Sequence, residues 1–217
     1  MEVRTERARL CLVRHGETAW NAERRLQGHL DLPLNETGLL QAEATAASLS
    51  GQRFAAFYCS DLVRARQTAA AAGRLLGLAP VFEPDLRERH YGAFQGLTYD
   101  EARERFPDAY ARFTAREPGF AFPDGGESLA GFAARIRAAL ERIAARHAGQ
   151  TVLIVSHGGV LDIAHRLATG KALEAPRDFV IPNAALNWVT YHNGAWDLVA
   201  WADRRHLDQS RDELSNA

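Results

Sequence analysis

The 217 residues of this chain carry 26 lysines and arginines against 27 aspartates and glutamates, a formal net charge of −1. Apolar residues make up 47% and charged residues 24%, which is typical of globular proteins and argues against a disordered chain. A nucleic-acid-binding domain normally has a basic excess, so we predict no nucleic-acid partner. The length allows one domain or two small ones, and since no linker or repeat interrupts the sequence we expect a single domain over residues 1–217.

Cysteine usage and hydropathy bear on the cellular compartment. Cys11 and Cys59 lie inside apolar runs, without the spacing of a disulfide framework or a zinc site. Residues 1–9 are charged and contain no apolar signal-peptide core, and no uninterrupted apolar stretch has the length that crosses a bilayer. We therefore expect a cytoplasmic protein with no membrane partner.

Strand and helix patterns alternate along the chain. Short apolar, β-branched runs typical of strands buried on both faces occur at 10–13, 54–59, 81–82 and 151–155. Apolar residues at helical spacing predict helices at 36–49, 62–76, 128–147 and 158–168, and Ser60 or Asp61 could cap the second of these. Near the end, 185–191 and 196–201 flank an Asn193-Gly194 pair and predict a hairpin. This alternation predicts a three-layer α/β/α fold with a mainly parallel central sheet.

Two segments depart from this pattern. Four prolines and five glycines interrupt short helical pieces in residues 84–127, which predicts an insertion over one face of the sheet. Within it, residues 99–126 mix arginines with aromatic side chains, and we expect them to form a lid that influences substrate preference. The polar tail at 207–217 is predicted to be disordered.

Polar residues suited to anion binding follow three of the predicted strands. Arg14-His15-Gly16 follows the first, Ser60-Asp61 with Arg64 follows the second, and His157-Gly158-Gly159 follows the last. Taken singly, these residues could be a surface loop, a solvated arginine and a helix-capping turn. Ligands of open α/β sheets bind beyond the carboxyl ends of parallel strands, where helix N-termini add backbone N–H groups. The same placement three times favours a phosphate pocket.

Six segments, in order and over nearly the whole chain, resemble the histidine phosphatase superfamily, also described as phosphoglycerate mutase-like. They are LVRHGETAWN at 12–21, RRLQGHLDLPLNETGLLQA at 24–42, SDLVRARQTA at 60–69, LRERHYGAFQGLTYDE at 86–101, FPDGGESL at 122–129 and IVSHGG at 154–159. A lone Arg-His-Gly would be weak evidence, whereas six segments in the family's order are specific.

The resemblance implies a role for each matching residue. His15 would be the nucleophile that carries a phosphohistidine, and Glu88 of Leu86-Arg87-Glu88 would be the general acid and then the base. Neighbouring cations would keep the nucleophile neutral by lowering its pKa, and we expect Glu17 to orient His15 or an arginine. The other matches form or line the phosphate clamp, and they are Arg14, Arg64, His157, Asn21 and Gln27.

The expected substrate is a small phosphorylated metabolite, which would lose its phosphate through the phosphohistidine. The remaining histidines show no metal-ligand spacing, so we predict neither a metal nor any other cofactor. The sequence leaves the oligomeric state open, and a homodimer would agree with the family.

The sequence lacks the motifs of three other enzyme classes. Cys59 and Arg64 have four intervening residues where a thiol phosphatase has five. No GxSxG elbow of a serine hydrolase is present in the sequence. Gly170-Lys171 lacks the upstream glycine of a nucleotide P-loop. A sensor that binds a phosphorylated ligand would need neither His15 nor Glu88. Within the family, two motifs favour a phosphatase, Gln27-Gly28 and Ser156-His157-Gly158-Gly159. The sequence from Glu88 to Gly92 instead resembles a phosphoglycerate mutase, which remains the alternative.

Overall fold

The computed structural model describes residues 6–208 and 211–212. Its strands are β1 (Ala8–Arg14), β2 (Ala56–Cys59), β3 (Val81–Phe82), β4 (Thr151–Ser156), β5 (Leu186–His192) and β6 (Ala195–Asp203). The helices are α1 (Ala19–Ala22), α2 (Glu36–Ser48), α3 (Val63–Leu76), α4 (Tyr99–Arg105), α5 (Pro107–Thr114), α6 (Leu129–Arg146) and α7 (Gly158–Thr169), with 3₁₀ turns at Pro84–Leu86 and Gly92–Phe94. The predicted strands and long helices are confirmed to within a few residues of their ends.

The six strands form one sheet in the order β3-β2-β4-β1-β5-β6. The pairs β3–β2, β2–β4 and β4–β1 are parallel, and the β5–β6 hairpin adds two antiparallel strands beside β1. Because β1, β2 and β4 run the same way, their carboxyl ends meet at one edge of the sheet. The α/β fold predicted from the sequence is confirmed.

Alternating residues of the central strands point to the two faces of the sheet. Leu10 and Leu12 of β1 pack into a cluster with residues of α6 and α7, while Cys11 and Val13 pack against residues of α2 and α3. Burial on both faces accounts for the uninterrupted apolar runs of these strands. The core therefore fixes β1 and β4 rigidly, and with them the loops that follow.

The segment 84–127 packs around its own small cluster of aromatic side chains. Phe94, Phe113, Phe120 and Phe122 are buried against one another and against Leu26. The expected single-domain organisation, with this segment as its insertion, stays a prediction. Of the tail at 207–217, residues 209–210 and 213–217 lie outside the described residues.

The start of α3 differs from the sequence expectation that Ser60 or Asp61 caps it. Leu62 takes the capping position and makes no side-chain cap bond, while the Val63 N–H donates to Asp31 Oδ1 at 2.7 Å. The Ser60 hydroxyl bonds to His157 Nε2 at 2.7 Å and accepts the N–H of Leu62, the residue before the helix, at 3.4 Å. Across the described ranges, no helix combines the length and hydropathy that a membrane crossing requires.

Candidate active site

The residues that follow β1, β2 and β4 lie side by side, as expected from the sequence. Arg14 at the end of β1 is in register with Ser156 at the end of β4, and the His15 N–H donates to the Ser156 carbonyl at 2.9 Å. Next to β4, the N–H of Ser60 donates to the Val155 carbonyl at 3.0 Å. Sheet register alone thus brings the three polar strand ends together.

His15 is buried and its ring is held in one orientation. Its Nδ1 lies 2.7 Å from the Gly16 carbonyl, an acceptor, so Nδ1 carries the hydrogen and Nε2 keeps the lone pair. Burial, and then the charges of Arg64 and Arg14, hold the pKa of His15 well below its ordinary value. The imidazole is therefore neutral at physiological pH, with Nε2 as its nucleophilic atom.

The loop after β1 can pass this close to α2 because residue 16 is glycine. A Cβ on Gly16 would lie 2.5 Å from the Gly38 carbonyl oxygen, which is nearer than such atoms approach. The Gly16 N–H donates to Thr68 Oγ1 on α3 at 3.0 Å, and that hydroxyl donates to the Arg64 carbonyl at 2.9 Å. The backbone beside His15 is thereby tied to the helix that carries Arg64.

His157 lies beside His15, with 5.3 Å between ring centroids. One ring nitrogen, Nε2, contacts the Ser60 hydroxyl, while Nδ1 is buried and bonds to none of the described residues. Burial, followed by the charges of Arg64 and His15, holds the pKa of His157 well below its ordinary value. A negatively charged ligand would reverse this effect, because it would favour the protonated ring.

The two predicted clamp arginines are buried and oriented by carbonyl oxygens. Arg14 Nη1 donates to the Ile181 carbonyl at 2.9 Å. Arg64 donates to the carbonyls of Leu30 and Gly28, at 2.9 and 2.7 Å. Burial lowers the pKa of Arg64 to about 10, which still leaves it charged at neutral pH. Two positive charges are therefore concentrated beside His15.

Six of the seven predicted site residues line one cavity of about 30 Å³, which we call the phosphate cavity. Its lining includes Arg14, His15, Asn21, Gln27, Arg64 and Glu88. His157 is not among the lining residues and reaches the site through its ring contact with His15. Asn21 Oδ1 accepts the Thr18 N–H at 2.9 Å, which fixes the first turn of α1, whereas Gln27 Oε1 is buried and bonds to no described residue.

Glu88 is buried at the rim of this cavity and is held by backbone donors. The Arg89 N–H donates to Oε1 at 2.8 Å, and the Gly159 N–H, in the first turn of α7, donates to Oε2 at 3.0 Å. These two donors fix the carboxyl group at the junction of β4 and α7, where His157 immediately precedes the helix.

A second cavity of about 40 Å³, here called the side cavity, adjoins the first through Tyr91 and Tyr99, which line both. Four buried charged residues line it, and one of them, Arg177, pairs with Asp212. Of the other three, Arg89, Arg116 and Asp162, sequence reasoning placed only Arg116, as part of the predicted lid. Asp162 was detectable in principle as an acidic residue one turn after Gly158-Gly159, although Arg166, four residues later, gives it the pattern of an ordinary helical ion pair. The two arginines gave no such signal, because the segment around them is rich in arginine.

Glu17, expected from the sequence to orient His15 or an arginine, is bonded away from the cavity. Its Oε1 accepts Asn35 Nδ2 at 2.9 Å, and its Oε2 accepts Arg211 Nε at 2.7 Å. Asn183, which sequence reasoning missed, donates from Nδ2 to the His15 carbonyl at 2.9 Å. Within residues 6–208 and 211–212, no group of three or more His, Cys, Asp or Glu side chains is arranged to hold a metal ion.

Comparison with known proteins gives a consistent answer. The model of the histidine phosphatase superfamily (branch 1) matches residues 10–204. The chain is 41% identical to a metal-independent phosphoserine phosphatase of Arabidopsis thaliana, over 95% of this chain and 86% of that protein. It is 40% identical to phosphoglycerate mutase-like protein 4 of the same plant, over 94% of this chain and 88% of that protein.

A solved structure shares both the fold and the extent of the chain. It is a phosphoserine phosphatase of Entamoeba histolytica in complex with 3-phosphoglyceric acid, with a TM-score of 0.83 and 26% identity, and the match covers 92% of this chain and 99% of that one. The predicted family is thereby confirmed: the chain belongs to branch 1 of the histidine phosphatase superfamily and is an enzyme of the histidine phosphatase type.

Proposed function

We propose that this enzyme hydrolyses small phosphomonoesters through a phosphohistidine formed on Nε2 of His15. The observation that carries the proposal is the state of His15, whose Nδ1 is bound to the Gly16 carbonyl inside a cavity lined by Arg14, Arg64 and Glu88. A neutral imidazole with a fixed lone pair is a competent nucleophile toward phosphorus. The adjacent guanidinium groups attract the phosphate dianion and stabilise the equatorial oxygens of the transition state.

The reaction has two steps. In the first, a bond forms between His15 Nε2 and phosphorus, the bond from phosphorus to the ester oxygen breaks, and Glu88 gives its proton to the leaving oxygen. In the second, water attacks the phosphohistidine, Glu88 takes a proton from that water, and inorganic phosphate leaves with His15 neutral again. The unbonded, buried Gln27 Oε1 in the same cavity supports hydrolysis, since it can accept a hydrogen bond from the attacking water.

The side cavity supports a substrate with a second negative charge. Arg89 is buried, donates to the carbonyls of Phe120 and Glu127 at 3.2 and 3.0 Å, and makes no ion pair within the described ranges. Burial lowers the pKa of Arg89 to about 10, so the guanidinium is charged at neutral pH. A buried cation without a carboxylate partner favours an anionic ligand. We therefore propose a phosphomonoester that carries a carboxylate, the chemistry named in two of the similar proteins.

The test is phosphate release with EDTA present, from p-nitrophenyl phosphate, phosphoserine and 3-phosphoglycerate, by the wild type and His15→Ala. We expect the wild type to release phosphate and the rate of release to be lower by about 10³-fold or more in His15→Ala. Isomerisation of 3-phosphoglycerate is followed in parallel after bisphosphoglycerate is added. Isomerisation without phosphate release would assign the chain to the mutase branch. No activity in either assay would favour a sensor. The cytoplasmic location and the homodimer stay predictions from the sequence.

A further inference from the structure

Asp162 lies on the face of α7 that borders the side cavity. Gly158 and Gly159 begin this helix, and Asp162 follows about one turn later, so all three line the same cavity. The helix rise places Asp162 about 4.5 Å further along the axis than Gly159, whose N–H holds Glu88. Glu88 and Asp162 are thus both associated with the first two turns of α7, one through the Gly159 N–H and the other as a residue of the helix.

The two oxygens of Asp162 have different surroundings. Arg116 Nη2 and Arg166 Nε both donate to Oδ2, at 2.7 and 3.0 Å. Oδ1 is buried and accepts no hydrogen bond from any residue in the described ranges, although the side chain is only 9% exposed. A buried carboxylate oxygen without a donor is destabilising by an amount that a single hydrogen bond can offset. Oδ1 is therefore an acceptor that a substrate in the side cavity, which Asp162 lines, could use.

Arg116 is held in place at a conformational cost. Its φ of 54° lies in the left-handed region, which non-glycine residues rarely adopt, and its Nε donates to the Leu173 carbonyl at 2.9 Å. Strained residues of this kind persist where the surroundings fix them, and they cluster at ligand sites. Since Arg116 occupies Oδ2 with a precise geometry, Oδ1 is the acceptor that stays available.

We propose that Asp162 is a specificity-determining residue, and that its Oδ1 accepts a hydrogen bond from a hydroxyl or ammonium group on the substrate carbon beside the carboxylate. This inference rests on the proposed function and refines its substrate class, which becomes the phosphate ester of a hydroxy acid or an amino acid. An analogue that lacks the donor leaves the buried Oδ1 without a hydrogen-bond partner. Sites built to pair with a substrate donor discriminate strongly against such analogues.

Three substrates test the proposal because they differ only at that carbon. Phosphoserine carries an ammonium group there, 3-phosphoglycerate a hydroxyl, and 3-(phosphonooxy)propanoate two hydrogens. We expect wild-type kcat/KM for at least one of the first two to exceed that for the third by about tenfold or more. The larger of the two ratios identifies whether ammonium or hydroxyl is the natural donor.

Asp162→Asn is the decisive variant. The two arginines will orient the amide carbonyl toward themselves, so the NH₂ group replaces the free acceptor with a donor while size and shape are kept. We expect the preference for the donor-bearing substrate to fall to about twofold or less. Asp197→Asn, at a side chain that is 57% exposed on β6, makes the same chemical change away from both cavities and should keep the wild-type ratio.

The outcomes separate this inference from the proposed function. If the wild type releases phosphate from p-nitrophenyl phosphate in a His15-dependent manner but shows no preference among the three substrates, Asp162 only anchors Arg116 and the inference is wrong. A preference that survives in Asp162→Asn leads to the same conclusion. If no ester gives His15-dependent release, the proposed function itself fails. Circular dichroism and the thermal midpoint show whether each variant is folded.

Discussion

The backbone N–H of Gly159 donates a hydrogen bond to Oε2 of Glu88 at 3.0 Å, across 71 residues of sequence. The N–H groups of a helix's first turn have no partner inside the helix, so α7 can offer one to a carboxylate. The same junction of β4 and α7 carries His157, one residue before the helix begins. A single turn therefore positions groups on both the phosphate side and the leaving-group side of the site.

The first prediction concerns Gly159→Ala. A Cβ at this position would lie 2.2 Å from Glu88 Oε1 and 3.1 Å from Phe132 Cζ, so the carboxyl group must move. Alanine favours a helix more than glycine does, so we expect a folded protein with a displaced acid. Turnover of phosphoserine should fall by about tenfold or more, since small misplacements of a reacting group have effects of that size.

Gly51→Ala serves as the control, because nothing lies within 4 Å of a Cβ built there. It should keep wild-type turnover. An active Gly159→Ala enzyme with unchanged kcat would show that Glu88 need not occupy its observed position.

The second prediction is that Glu88→Gln separates substrates by their leaving groups. Glutamine keeps the shape of the side chain but supplies no proton to the leaving oxygen. We expect kcat/KM, which covers only the first step, to fall by about 10²- to 10⁴-fold for phosphoserine and much less for p-nitrophenyl phosphate, whose leaving group departs without a proton. Glu104→Gln, on the exposed face of α4, is the matched control. Equal losses on both substrates would remove the general-acid role.

The third prediction compares two arginines of α3 that lie two residues apart. Arg64 is buried in the phosphate cavity, whereas Arg66 is exposed and stacks over Phe82 at 5.1 Å. A lysine at 64 keeps the charge but loses the planar fork that suits phosphate oxygens. We expect Arg64→Lys to weaken inhibition by inorganic phosphate and to lower kcat/KM by about 100-fold, with Arg66→Lys within about twofold of wild type. Similar inhibition constants for the two variants would contradict the clamp.

The fourth prediction is that stability falls on the acid side of neutrality. The pKa values of His15 and His157 are held below the ordinary value mainly by burial, so the folded protein keeps both rings neutral where the unfolded chain protonates them. The unfolded state then binds more protons, and the free energy of unfolding decreases as pH drops below about 6.5.

Urea unfolding at several pH values between about 7.5 and 5.5 measures this slope. We expect His15→Gln and His157→Gln each to flatten it, since each removes one group that protonates only in the unfolded chain. A slope that is unchanged in both variants would show that other groups, among them the half-buried His29, cause the acid destabilisation.

Several features of the fold were predictable because they depend on short-range patterns. Burial on both faces gives β1 and β4 their continuous apolar runs, and parallel strands necessarily present their carboxyl ends on one side. This rule and the sequence motifs that follow the strands were sufficient to predict that Arg14, His15 and His157 lie close together. The cap of α3 was predicted wrongly from the same kind of pattern, because Ser60 bonds to His157, 97 residues away.

The sequence by itself determined the fold class, the family and the residues grouped around the phosphate cavity. Only the tertiary structure decided the side cavity, where Arg116 meets Asp162 across 46 residues, and the hydrogen bond from α7 that holds Glu88 at the phosphate cavity. These contacts depend on how the segment 84–127 packs over the sheet, and no periodic pattern in the sequence reflects that packing. Periodicity records which face of an element is buried, whereas the partner of a buried charge is set by the three-dimensional arrangement of distant segments.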